Sequence, residues 1–200
     1  MKIAVLASGR GSNFQAIVDN IKSGYLSRVE VAAFVTDKPG CPASEIARAH
    51  DIPVLDVDPS RSSSRRVFDA VLVSRLRDYP VDYVVLAGYM RILSYVFLKH
   101  YPQRVINIHP SLLPAFPGLN AQKKAVEAGV KISGCTVHVV DEEVDRGPII
   151  MQKAVPVFAD DDEQTLSRRI LVQEHLLYSR VLKNLSEKEM QISGRTVSFS

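Results

Sequence analysis

No run of about eighteen consecutive apolar residues occurs anywhere in the chain, so nothing in it offers a membrane-spanning helix. Nor does it open on a basic leader followed by an apolar stretch; "MKIAVLASGRG" reads as a strand and a turn. No membrane role is expected, and the protein is expected in the cytoplasm. Cysteine is scarce. Cys41 and Cys135 cannot form a zinc site by themselves, and nothing suggests a secreted disulfide framework, so both are expected as reduced thiols. The five histidines, His50, His100, His109, His138 and His175, fall into no ligand-spaced pair, so no metal is expected. A formal charge of +3, with basic residues dispersed apart from "RSSSRR", argues against nucleic acid as a principal partner. Internal repeats, low-complexity tracts and interdomain linkers are missing too.

What is present is enough apolar material for one ordinary domain: 200 residues, 46% of them hydrophobic. Strand-like runs alternate with helix-like ones: "KIAVLA" then "SNFQAIVDNIKSG", "VEVAAFVT" then "ASEIARAHD", "PVLDV" then "SRRVFDAVLVSRLRDY", then "VDYVVLAG" and "RVINIHP". That order signals crossover units around a parallel sheet. In the third helix Val67, Val71, Leu72 and Leu76 recur at helical spacing, which predicts a buried stripe and leaves Arg65, Arg66, Asp69 and Arg75 to water. After a proline-rich loop and the short helix "NAQKKAVEAG" the pattern changes. "KISGCTVHVVD" and "GPIIMQKAVPV", joined by an acidic loop, predict an antiparallel addition. A long helix then starts after Asp160, Asp161 and Asp162, whose charge suits a helix N-terminus. The tail predicts a hairpin at Gly194 or partial disorder.

Two stretches carry chemistry. In "SGRGSN", Ser8 to Asn13, Gly9 and Gly11 let the backbone approach a phosphate where a strand meets a helix N-terminus, and Ser12 and Asn13 can cap or donate. A simple glycine turn is the bland alternative. A dinucleotide site is a second, with Asp37 as the ribose acid, although Phe14 stands where the third glycine belongs. The loop lacks the Gly-Lys-Ser/Thr ending of a nucleoside triphosphate loop.

The other stretch is "VINIHPSLLPAFPG". Asn107 and His109 are two apart on a strand and share a face. Pro110, Pro114 and Pro117 keep a helix from starting at once, so a stiff loop must cross that face. "DEEVDRG" can bring Asp141, Glu142, Glu143 or Asp145 to the same sheet edge. A carboxylate there is expected to raise the His109 pKa and keep it charged near neutral pH. A cationic imidazole beside an amide is equipment for stabilising an oxyanion in acyl transfer. No covalent nucleophile stands out: Ser111 follows His109 too closely, and Cys135 lies in an apolar run. Direct attack by a substrate amine or water is the consequence. His138 is expected to line the site or to fill the core of its strand.

"LASGRGSN", "VVLAGYMRILS", "INIHPSLLPAFPG", "GCTVHVVDEEVDRGPII" and "VQEHLLY" resemble, in register from residue 2 to about 182, the motifs of the phosphoribosylglycinamide formyltransferase family, folate-dependent enzymes of purine synthesis. The resemblance implies a single Rossmann-like α/β formyltransferase domain over residues 1–184, with a mostly parallel twisted sheet, helices on both faces and an antiparallel C-terminal addition, followed by a tail over 185–200. It implies formyl transfer from 10-formyltetrahydrofolate, a co-substrate, to the amine of 5-phosphoribosylglycinamide. In that reading His109 is the general acid, Asn107 holds the formyl oxygen and Asp145 raises the His109 pKa. Gly11, Ser12 and Asn13 would take the ribose phosphate, Glu174 the ribose hydroxyls, and Pro110 would lie beside the glycinamide. Arg65, Met90, Arg91, Ile92 and Leu93, with Asn107, Val140, Asp141 and Glu142, would form the folate site. Gln122, where relatives often carry histidine, and Leu171, where some have a polar residue, depart from the pattern. A monomer or weak homodimer is expected, with residues 111–131 as a moving cover.

Two relatives of the same core are not expected, because a chain of this length is read as having no room for their added domains. A methionyl-tRNA formyltransferase or a formyltetrahydrofolate deformylase would share the core and add a domain. A nicotinamide-dependent oxidoreductase would use the glycine loop and Asp37 but leave Asn107, His109 and Asp145 idle. A non-catalytic nucleotide-binding module would bind without forming product.

Overall fold

A computed structural model describes residues 1–200 and divides them into two compact units, Met1–Ile106 and Asn107–Ser200. In the first, β1 (Lys2–Leu6), β2 (Glu30–Thr36), β3 (Val54–Asp56) and β4 (Tyr83–Leu86) are parallel, in the order β3-β2-β1-β4. Helices α1 (Ser12–Lys22), α2 (Pro42–Arg48) and α3 (Arg65–Leu76) make the crossovers, with a 3-10 turn at Pro59–Arg61 and a short α4 (Tyr95–Leu98) after β4. The central strand reads as a continuous apolar run because both its faces are covered; Ile3, Ala4, Val5 and Leu6 are fully buried. Phe14 of α1 stacks on Phe34 of β2 with centroids 4.9 Å apart, and burying each such ring contributes ~1.5–3 kcal/mol.

Helix α3 corrects the sequence reading. Its buried face is Phe68, Asp69, Leu72, Val73 and Leu76, whereas Val67 and Val71 are 44% and 40% exposed. Spacing fixed the period but not the phase. Asp69 is inside because its Oδ2 accepts the Ser94 N–H at 2.6 Å; a buried acceptor with a backbone donor is no penalty.

In the second unit β5 (Val105–His109), whose first residues belong to the first unit, is followed by α5 (Ala121–Glu127) and by the antiparallel pair β6 (Ile132–Val139) and β7 (Ile149–Pro156). Gly134 is required there: a Cβ would lie 2.1 Å from the Lys153 carbonyl oxygen. The long α6 (Glu163–Glu187) begins with a capping box between Asp162 and Thr165, and Asp161 pairs with Arg169 at 2.6 Å, so the acidic cluster serves the helix start. Its buried stripe, Leu166, Ile170, Leu177, Tyr178 and Val181 among others, packs on β6 and β7. The tail forms an antiparallel pair, β8 (Met190–Ser193) and β9 (Thr196–Phe199), with β9 beside β7. No helix is long and apolar enough to cross a membrane. The fold is α/β, with parallel strands and crossover helices leading into antiparallel C-terminal strands.

Candidate active site

In the first unit the chain turns out of β1 at Ser8 and enters α1 at Ser12 through Gly11, whose φ of +77° suits glycine. A Cβ at Gly11 would also stand 2.6 Å from the Ala43 Cβ, so the residue is fixed twice over. The first N–H groups of a helix have no partner inside it, and here Ser12 and Asn13 carry them. Ser8 Oγ donates to Asp37 Oδ1 at 2.5 Å and accepts the Met90 N–H at 2.9 Å. Asp37 is only 7% exposed. It therefore clamps the first loop to the segment after β4, a poor posture for a ribose-binding acid, and the dinucleotide reading loses its main support.

That segment, Met90 to Leu93, shows two faces. Met90 and Ile92 stand 59% and 50% exposed, while Leu93 is buried. Arg91 lays its guanidinium 4.6 Å over the Phe68 ring, and Asp69 of the same helix holds the next turn through Ser94. Arg65 is exposed at the start of α3. Two unshielded apolar side chains on a segment anchored at both ends suit a flat apolar ligand.

In the second unit the structure brings Asn107, His109 and Asp145 together, with His138 as a fourth member. His109 Nδ1 lies 3.3 Å from Asp145 Oδ2, and His138 Nε2 lies 3.6 Å from Asp145 Oδ1. Asn107 Nδ2 is 3.2 Å from His138 Nε2. His138 Nδ1 faces the Val139 carbonyl at 2.9 Å, so it carries a hydrogen, and Nε2 lies within reach of both the Asn107 amide and the Asp145 carboxylate. The second Asn107 N–H remains for a ligand oxygen. Asp145 sits at φ +56° and accepts the Gly118 N–H at 2.7 Å. The turn that presents it needs glycine two residues on, because a Cβ at Gly147 would be 1.8 Å from the Val139 carbonyl oxygen.

His109 itself is buried, and its Nε2 lies 2.9 Å from the Phe116 carbonyl. Both ring nitrogens thus face acceptors, an arrangement that welcomes an imidazolium. Burial wins nonetheless. It lowers the His109 pKa from 6.5, and the Phe116 carbonyl and Asp145 offset only part of that loss. The expectation of a histidine charged near neutral pH is corrected: the carboxylate pushes upward as expected, but desolvation is the larger effect. For Asp145, burial pushes up, yet His138 and the Gly118 N–H together hold the carboxyl below its ordinary 3.8.

The remaining predicted residues scatter around this centre. Pro110 follows His109 and is half-buried; Val140 is half-buried, and Asp141 and Glu142 are exposed beyond β6. Glu174, buried on α6, raises the Cys135 thiol together with the larger effect of burial, to about 12. With its thiol pushed so far up, Cys135 is no nucleophile. No group of three or more His, Cys, Asp or Glu is placed to hold a metal ion. Sequence reasoning missed the Phe116 carbonyl and Gly118 N–H, which are backbone groups and leave no residue signature.

Residues 1–182 match the family model described as formyl transferase. The chain belongs to the formyl transferase family. Among relatives, the phosphoribosylglycinamide formyltransferase of Bacillus subtilis (strain 168) is 44% identical over 184 residues, covering 92% of this chain and 94% of its own. A trifunctional purine biosynthetic protein adenosine-3 of Drosophila melanogaster is 46% identical over 198 residues, and there the chain spans 98% of itself but only 15% of the fly protein. The crystal structure of glycinamide ribonucleotide transformylase 1 from Symbiobacterium toebii superposes with a TM-score of 0.96 at 47% identity, covering 100% of this chain and 93% of that one. Formyl transferase membership gives the cluster around His109 a reaction to be tested against.

Proposed function

We propose that this formyl transferase moves the formyl group of 10-formyltetrahydrofolate to the amine of 5-phosphoribosylglycinamide, giving N-formylglycinamide ribonucleotide and tetrahydrofolate in purine synthesis. The observation that carries the reading is Asp145 set between His109 and His138, beside the Asn107 amide, at the end of β5. The amine nitrogen attacks the formyl carbon, and the C–N bond to N10 of the folate breaks. One proton leaves the attacking nitrogen and one arrives at N10, so protons balance. Asn107 donates its free N–H to the oxygen that becomes negative in the tetrahedral intermediate. His109 takes up the proton that leaves the attacking nitrogen and passes it from Nε2 to the departing N10, exchanging the Phe116 carbonyl for the substrate, and Asp145 at Nδ1 supports the imidazolium while it exists.

Gly11, Ser12 and Asn13 would take the phosphate, and Pro110 and Glu174 would contact the glycinamide and ribose. Arg65 and residues 90–93 would face the folate, with Val140, Asp141 and Glu142 along the pterin edge. The molecule is read as a cytoplasmic monomer or weak homodimer without a metal. The test is a spectrophotometric formyl-transfer assay with glycinamide ribonucleotide and a 10-formyl folate, run for the wild type, for Asp145→Asn and without amine. Amine-dependent turnover that falls ~10²–10⁴-fold in the variant supports the reading. Folate turnover without amine points to a deformylase, and ligand binding without turnover to a binding module.

A further inference from the structure

A second polar cluster in the Asn107–Ser200 unit is built on the sheet. Thr136 and Gln152 stand directly opposite each other across β6 and β7. Thr136 Oγ1 donates to the Ser111 carbonyl at 2.7 Å, and accepts from the Leu113 N–H at 3.0 Å and from Gln152 Nε2 at 2.9 Å. One donor and two acceptor positions are all a hydroxyl has, so it is saturated. Gln152 Nε2 reaches the Leu113 carbonyl as well, at 2.9 Å, which commits both of its hydrogens. Leu113 thus has its N–H and its C=O held by side chains from the sheet.

From that anchor the loop closes on itself toward His109. The Ala115 N–H donates to the Leu112 carbonyl at 3.0 Å, and Ser111 Oγ donates to the Ala115 carbonyl at 2.5 Å. The next carbonyl, that of Phe116, is the one that takes His109 Nε2. Gln152 touches none of Asn107, His109 or Asp145 in this chain of contacts, yet the loop it holds sets the far side of the imidazole.

We propose that Gln152, through Thr136 and the backbone of Leu113, is a positioning residue that holds the Ser111–Phe116 loop so that the Phe116 carbonyl fixes the ring orientation of His109. The inference rests on the reading of His109 as the general acid. Gln152 is largely exposed, so a hydrophobic packing role does not account for its amide turning back to two loop partners. Asp145 and the Phe116 carbonyl contact the His109 ring, and the charges of His138 and Lys124 act on it from further away. Only the Phe116 carbonyl is placed by this tether.

The test compares Gln152→Leu, Thr136→Val and Thr136→Ser with the wild type, by kcat and KM and by nitrogen-15 NMR titration of the His109 ring. Gln152→Leu and Thr136→Val should lower kcat about ten- to a hundredfold with KM changed about twofold or less, the cost of a catalytic group misplaced by a fraction of an ångström. The His109 midpoint should fall, because the carbonyl that favours its charged form is released. Thr136→Ser, which keeps the hydroxyl, should restore both. If Gln152→Leu and Thr136→Val lose thermal stability but keep the wild-type kcat and His109 titration, the tether is merely structural and the proposal fails. It fails too if Thr136→Ser behaves as Thr136→Val does. Should Gln152→Leu not fold, the Thr136 pair decides. A wild type without formyl transfer would sink the reaction, while the NMR comparison would still judge the tether.

Discussion

In the Met1–Ile106 unit the candidate groups are the glycine turn at the start of α1 and two exposed apolar side chains, Met90 and Ile92. In the Asn107–Ser200 unit the candidate groups are side chains already bonded to one another, with His109 at 5% exposure and both its nitrogens engaged. The contrast separates recognition from chemistry. A phosphate or an apolar ring is held by shape, fixed dipoles and surface, and loses little if its seat stays open to water. A proton donor must be aimed and kept from water, so its surroundings are closed and saturated before any substrate arrives.

The sharpest way to break that separation is a variant in the second unit. Asn107→Ala should lower kcat by ~10²–10³, the usual loss of one oxyanion donor, with the affinity for a phosphate-bearing ligand unchanged by calorimetry. A rise in KM alone would move Asn107 to the recognition side. Asp69→Ala should do the reverse in the first unit. It leaves the buried Ser94 N–H without its acceptor, costing about 1.5–3 kcal/mol, and it frees one end of the segment that carries Met90 and Ile92. The expected readings are a lower melting temperature and a raised KM for the folate, with kcat nearly kept. Gly11→Ala should cost ~1–3 kcal/mol through its positive φ and its collision with Ala43. It should weaken the phosphate-bearing substrate and spare turnover at saturation; a collapse of kcat instead would show that the two parts are not separable.

How much of this was legible beforehand follows the same line. Alternation on a strand was enough to put Asn107 and His109 on one face, and the position of "DEEVDRG" between two strands was enough to offer Asp145. Strands such as β1 and β4 are continuous apolar runs, so their existence and their succession along the chain could be read. The phase of α3 could not, because a buried aspartate looks like a surface residue until its backbone donor, Ser94, is known. Asp37 looked like a ribose acid for the same reason. The His109 proton was misjudged because a sequence shows which charges are near but not how much water is excluded. His138 was visible as a residue, but its tautomer depends on a carbonyl, Val139, that only geometry reveals.

The smallest effect tests that exclusion of water directly. His109 has a folded pKa depressed below 6.5, so the unfolded chain binds its proton first as the pH falls. Its contribution to stability is complete above 6.5 and is lost as the pH drops from there through the folded value. Asp145 is depressed below 3.8 and adds a second loss in a lower window. His175 is depressed by burial as well and contributes to the first. Urea melts between pH 8 and 5 should therefore show wild-type stability falling toward acid, at ~1.4 kcal/mol per unit of pKa displacement. In His109→Asn the fall should be shallower, with the part owed to His175 remaining. Equal slopes in the two proteins would mean that His109 is as well solvated in the folded state as in the unfolded one, and the closed, saturated character assigned to the second unit would not hold at its central residue.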